Sequence, residues 1–228
     1  MEYKLPKNFE GVRIFSSEGV DGSMSRDNIA ENLPKFAKSI SLDQPIAYCE
    51  QVHGKSIEVI NNDLFSEDCD GLVTGESIAL AIKSADCIPL LFFAPERGYI
   101  GAIHVGRRSL LSGIITDSLK DIFERTSLSP SEVNFFLAAH IRADNYPIGD
   151  DVIAEVQNSS YSPSLHEINN QTCFDLTKSL IADLVKIGAL RENKFDPSVD
   201  NFSDERFFSY RRGDRDKLFI TIISKLGS

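Results

Sequence analysis

The chain has 228 residues, 42% of them hydrophobic, and 24 Lys and Arg stand against 34 Asp and Glu, for a formal net charge of −10. That acidity argues against a nucleic-acid surface, which needs concentrated Lys and Arg to meet phosphates, and no apolar run approaches the roughly 20 residues that span a bilayer. The apolar content suffices for a sizeable core, and with no repeat, linker or low-complexity tract the expectation is a single domain over 1–228.

In chain order, residues 11–17 ("GVRIFSS") read as a strand, 27–40 as an amphipathic helix, and 45–53 ("PIAYCEQVH"), 56–60, 71–75, 78–84, 88–94, 99–106 and 133–141 as further short strands. A helix is expected over 109–126, where Leu111, Ile114, Ile115, Leu119 and Ile122 share one face and Asp117, Lys120, Asp121 and Glu124 fall outside it. Helices over 148–160 and 175–189 and a last strand over 218–224 complete the pattern, which is that of an α+β fold with mixed sheets flanked by helices. Cys49, Cys69, Cys87 and Cys173 follow no disulfide framework, and the N-terminal segment has no apolar signal core, so a reducing, cytoplasmic setting is expected.

The chemistry concentrates at strand ends. "EQVHGKS" places His53 just before a glycine at the end of a strand, and in "YIGAIHVG" His104 is followed closely by Gly106. Cys87 opens the strand that precedes His104, and the turn "APERG" folds the two strands into a hairpin that brings both residues to one edge. A lone histidine is more often structural and a lone cysteine more often a small buried hydrophobe. Two of the four histidines converging on one thiol are the donor set of a zinc site with an open fourth position. Copper competes on ligand type, but Met1 and Met24 are the only methionines and neither sits in such a motif.

Asp86, beside Cys87, is read as orienting a ligand or acting on substrate as a base. Asp68 and Asp70 read as turn formers before glycine, His140 as either near the site or in the sheet core, and His166 as loop. Arg108 and the pair Arg211–Arg212 are the cations available to grip a phosphate, because guanidinium offers it a two-pronged fork.

The segments "EQVHGKSI", "SADCIPLLFF", "GAIHVGRRSLLSGII" and "FFSYRRGDRDKLFITII" resemble, in order, the four motifs of the bacterial laccase-domain family, over about residues 11–224. The resemblance implies that family's fold, which is like that of cytotoxic necrotizing factor, and a zinc ion held by His53, Cys87 and His104. It further implies purine nucleoside phosphorylase chemistry with adenosine deaminase activity on nucleosides of the adenosine, inosine and methylthioadenosine class, with phosphate as the second substrate. Departures surround the trio. Arg107 stands in place of a tryptophan, Ser109 of a glycine and Glu18 of an arginine, "AAHIRA" in place of a Gly-Pro segment, and Val199-Asp200 where the family has Cys-Thr. Two other readings stay open: a cysteine amidase or hydrolase, with Cys87 as nucleophile and His104 as its base, acting on amides such as peptidoglycan precursors, and a ligand-binding relative without turnover.

Overall fold

The structure, a computed structural model, describes residues 1–226. The strands are β1 (Val12–Ser16), β2 (Ile46–Cys49), β3 (Ile57–Val59), β4 (Phe65–Ser66), β5 (Gly71–Thr74), β6 (Ala79–Ser84), β7 (Ile88–Ala94), β8 (Tyr99–Val105), β9 (Asn134–Leu137), β10 (Leu165–Ile168), β11 (Gln171–Phe174), β12 (Lys194–Phe195) and β13 (Phe219–Lys225). The helices are α1 (Ile29–Ser39), α2 (Arg107–Leu111), α3 (Lys120–Thr126), α4 (Asp150–Gln157) and α5 (Leu176–Lys186). A five-stranded sheet runs β1-β13-β6-β2-β4, a six-stranded sheet runs β12-β9-β7-β8-β5-β3, and β10 pairs with β11 alone. Both large sheets mix parallel and antiparallel pairs, as the α+β expectation requires.

Side-chain alternation sorts the strand residues into layers. On β7, Leu91 and Phe93 point to a core shared with Leu80 and Ile82 of β6 and Ile14 of β1, so the two sheets pack face to face. Leu90 and Phe92 point the other way, onto Ile115, Leu119, Phe123 and Leu180 of the helical layer. On the far side of the five-stranded sheet, Ala79, Ala81, Ile220 and Ile222 meet Ile29, Leu33 and Phe36 of α1. The order is helix, sheet, sheet, helices. This is why β7 and β8 read as unbroken apolar runs: both of their faces are covered.

The expected hairpin of β7 and β8 forms, with Ile88 opposite Val105 and Pro89 opposite His104, so Cys87 and His104 lie at one edge. The long helix over 109–126 does not form as one piece. Gly113 adopts φ +86 and breaks it into α2, a π-helical segment (Ile114–Leu119) and α3. The predicted apolar face survives the break, with Ile114, Ile115, Leu119 and Ile122 buried. His53 is not on a strand: β2 stops at Cys49, and His53 sits in the following turn with φ +60. His166 is in β10, opposite Cys173, rather than in a loop. β4, β10, β11 and β12 carry no readable alternation; two of them are only two residues long.

Candidate metal centre

Three elements deliver three donors to one point. His53 comes from the turn after β2, Cys87 from the residue before β7, and His104 from the end of β8, and their ligand atoms lie within 4.8 Å of one another. The His53 and His104 rings meet edge to face with centroids 4.7 Å apart. His104 is buried, Cys87 half-buried and His53 exposed, so the cluster is closed on the protein side and open on the other. Gly106 leaves the room for the sulfur, because a Cβ there would stand 2.9 Å from Cys87 Sγ.

Asp70 organises this cluster, and its reading as a turn former is corrected. It is fully buried at the start of β5; its Oδ1 lies 2.9 Å from His104 Nδ1 and accepts from the His53 backbone N–H at 2.9 Å, and its Oδ2 accepts from the Gly54 N–H at 2.6 Å. The turn itself belongs to Asp68, at φ +54. One carboxylate thus fixes the His104 ring, leaves its Nε2 for a ligand, and pins the turn that presents His53. Burial alone would raise the Asp70 carboxyl, and His104 together with the two backbone N–H groups outweighs it and holds it low.

The electrostatics favour a thiolate. Burial pushes the Cys87 thiol up, but the charge and hydrogen bonds of His104 and then His53 outweigh it and bring it down to about 6. Burial pulls the His104 imidazolium down, and Cys87 with Asp70 reverses this, raising it to about 9. A thiolate and two imidazoles are a borderline-soft donor set that suits zinc, and donor atoms within 4.8 Å of one another are close enough to share one ion. Among the described residues no second group of histidines and cysteines gathers beside the trio as a multi-copper cluster would require. His140 is buried in the core on the Ala138 carbonyl and Thr177 Oγ1, His166 is on the β10 hairpin, and Met24 is packed against α1.

The trio lies in the wall of a cavity of about 520 Å³. Of the predicted phosphate-binding arginines only Arg211 lines it, its guanidinium 4.7 Å from the Tyr146 ring centroid. Arg108 is exposed on α2 away from the cavity lining, and the neighbouring Arg107 pairs with Glu155 of α4. Arg212 is committed elsewhere, donating to the carbonyls of Asn201, Phe202 and Phe207 and to Asp214. Both are corrections: a basic pair in sequence places its two side chains in different surroundings.

Asp86 lines the cavity, but its oxygens are occupied. Oδ1 accepts from Asn201 Nδ2 at 2.9 Å and Ser209 Oγ at 2.6 Å, and Oδ2 from the Arg211 backbone N–H at 2.8 Å. It holds the Arg211 loop against the trio rather than offering a free base. Its φ of +101, unfavourable for a residue with a Cβ, is maintained by these bonds and by the one its own carbonyl accepts from Ile141. Sequence reasoning missed Lys83, Tyr146, Tyr210 and Arg215 on the cavity wall. Only Lys83 left a signal: it is a lone cation in the apolar run "ALAIKS".

Residues 19–222 match the family model described as multi-copper polyphenol oxidoreductase laccase. A purine nucleoside phosphorylase of Campylobacter jejuni is 30% identical over 178 residues, covering 77% of this chain and 75% of the relative. One from Corynebacterium glutamicum is 27% identical over 190 residues, covering 81% and 76%. Among solved structures, YlmD from Geobacillus stearothermophilus superimposes with a TM-score of 0.82 at 22% identity, over 97% of this chain and 94% of that one. The Bacillus licheniformis hypothetical protein YfiH gives a TM-score of 0.81 at 21% identity, over 94% and 93%. These two establish a shared fold.

Proposed function

The chain belongs to the multi-copper polyphenol oxidoreductase laccase family, and from that premise we propose that it is a zinc-dependent purine nucleoside phosphorylase that also deaminates adenosine. The observation that carries the reading is the His53–Cys87–His104 trio, presented by one buttressed turn and two strand ends and sharing one cavity with Lys83, Arg211 and Arg215. A cavity of about 520 Å³ is of the size that holds a small ligand. Relatives of 25–30% identity carry the name purine nucleoside phosphorylase, which supports the substrate class.

His53, Cys87 and His104 would hold the ion, with Asp70 keeping His104 in the tautomer that leaves Nε2 free to ligate. When bound, zinc supplies Lewis-acid polarisation of an oxygen or amidine centre on the substrate. The chain itself supplies position and charge. Tyr210 supplies an aromatic side chain on the cavity wall for a purine, Tyr146 already carrying the Arg211 guanidinium, and the cations of the wall meet the phosphate that attacks the N-glycosidic carbon as the base departs. Asp86 holds Arg211 at the cavity by its backbone.

The test is metal analysis of freshly purified protein, followed by a nucleoside panel with and without phosphate. Free base appears only with phosphate, inosine appears from adenosine without it, and both vanish in Cys87→Ala and His53→Ala together with the zinc. A zinc-loaded protein that converts no purine nucleoside would refute the substrate assignment.

A second reading rests on a specific feature, the succession Cys87, His104, Asp70, in which a low thiol faces a raised imidazolium backed by a buried carboxylate. That is the arrangement of a cysteine hydrolase with Cys87 as nucleophile. Full amide-hydrolysing activity in chelator-stripped protein would favour it over the zinc enzyme, and loss of all activity on stripping would exclude it.

A further inference from the structure

We propose that Lys83 is the anion anchor of the cavity and that Glu50 is the group it releases when the anion binds. The inference rests on the phosphorolysis reading only for the identity of the anion, inorganic phosphate. Lys83 continues the face of β6 that carries Ala79 and Ala81, one residue before the strand ends, and it lines the cavity that contains the trio. It is only 5% exposed, and its Nζ stands 3.1 Å from Glu50 Oε2. Among the described residues that carboxylate is the one acceptor the ammonium has, so its other protons are available.

The position of Lys83 does not depend on the ion pair. The Gln51 side chain clamps its backbone on both sides, donating from Nε2 to the Lys83 carbonyl at 2.7 Å and accepting from the Lys83 N–H at 2.9 Å. Glu50, by contrast, is 36% exposed, and its side chain makes no other hydrogen bond among the described residues. A swing of Glu50 into solvent leaves a buried ammonium facing the same space as Arg211 and Arg215, with Asp86 already engaged by Asn201, Ser209 and the Arg211 N–H. In a chain of net charge −10 this concentration of cations is local, which is what selective capture of a small dianion requires. Lys83 reaches it as a point charge from the five-stranded sheet, while the arginines approach from the loop before β13.

The opposite signs of the two partners make the proposal testable. Inorganic phosphate is titrated calorimetrically into zinc-loaded wild type, Lys83→Met and Glu50→Gln, without nucleoside. Lys83→Met should weaken binding on the order of ten-fold or more, the loss of a hydrogen bond to a buried charge, and Glu50→Gln should tighten it several-fold by removing the competing carboxylate. An ion pair that serves only stability would weaken binding alike in both variants or leave it unchanged in both, and either outcome overturns the proposal. Should Lys83→Met fail to fold, the Glu50→Gln arm still decides, because a weakened or unchanged affinity refutes the exchange. Phosphate binding that responds with these signs while no nucleoside is cleaved sustains the anchor and refutes phosphorolysis. Nucleoside cleavage whose KM for phosphate is untouched by Lys83→Met refutes the anchor and leaves the reaction standing.

Discussion

Replacing Asp70 by Asn tests the claim that one buried carboxylate assembles the centre. The carboxylate meets three donors, His104 Nδ1–H and the N–H groups of His53 and Gly54, and an amide has a single oxygen. In the less damaging orientation Oδ1 is kept, the Gly54 N–H faces an NH₂ group, and His104 donates to a neutral acceptor. Losing a hydrogen bond to a charged acceptor costs about 1.5–3 kcal/mol, so the metal-free variant should melt several degrees lower and still fold. Loss of a carboxylate partner behind a ligating histidine typically costs 10–100-fold in metal affinity, which at 1.36 kcal/mol per ten-fold is about 1.4–2.7 kcal/mol. Competition against a chromophoric chelator, with zinc as the metal, reads this directly. If Asp70→Asn binds zinc as tightly as wild type, the carboxylate is not what orients His104, and the account of the centre is wrong.

In the metal-free protein the Cys87 thiolate, followed by its ultraviolet absorbance, should titrate near 6, and His104→Ala should move it up towards the ordinary thiol range. The sign for stability follows. The depressed thiol contributes stability that is present above its unfolded range and lost as pH falls through about 6. The raised imidazolium contributes stability present below its unfolded value and lost as pH rises through about 9. Melting of the metal-free protein should therefore be highest between these limits, and a midpoint flat across them would contradict the ion pair. Gly106→Ala should lower zinc affinity at least several-fold with the fold retained by circular dichroism, because its Cβ displaces Cys87 Sγ. Gly101→Ala should cost stability without touching the centre, since its Cβ would lie 2.0 Å from the Phe92 ring; overpacking of this kind costs about 1–3 kcal/mol, read in a denaturant melt. Arg108→Ala should leave nucleoside turnover within two-fold, and a collapse of kcat would show that the exposed arginine on α2 reaches the substrate after all.

The juxtaposition of His53, Cys87 and His104, and the hairpin that carries two of them, were legible in the chain, because both depend on local order. Strand alternation and a short turn suffice to bring Cys87 and His104 to one edge, and glycine neighbours mark where His53 and His104 leave the backbone free. The apolar face over 109–126 was legible too, even though Gly113 divides that helix. The rest depends on residues far apart in the chain. Asp70 looks like a turn residue until β5 pairs with β8 and sets it beside His104. Asp86 looks like a free acid until the loop before β13 delivers Asn201, Ser209 and the Arg211 N–H to it across 115 to 125 residues. Lys83 was a single cation in an apolar strand, and Arg211 and Arg212 were indistinguishable. The packing of two sheets opened a cavity over one end of β6 and turned one arginine towards it and the other into its own loop. Local periodicity reports which face a side chain takes, whereas the chemistry of that face is set by which distant strand end arrives opposite it.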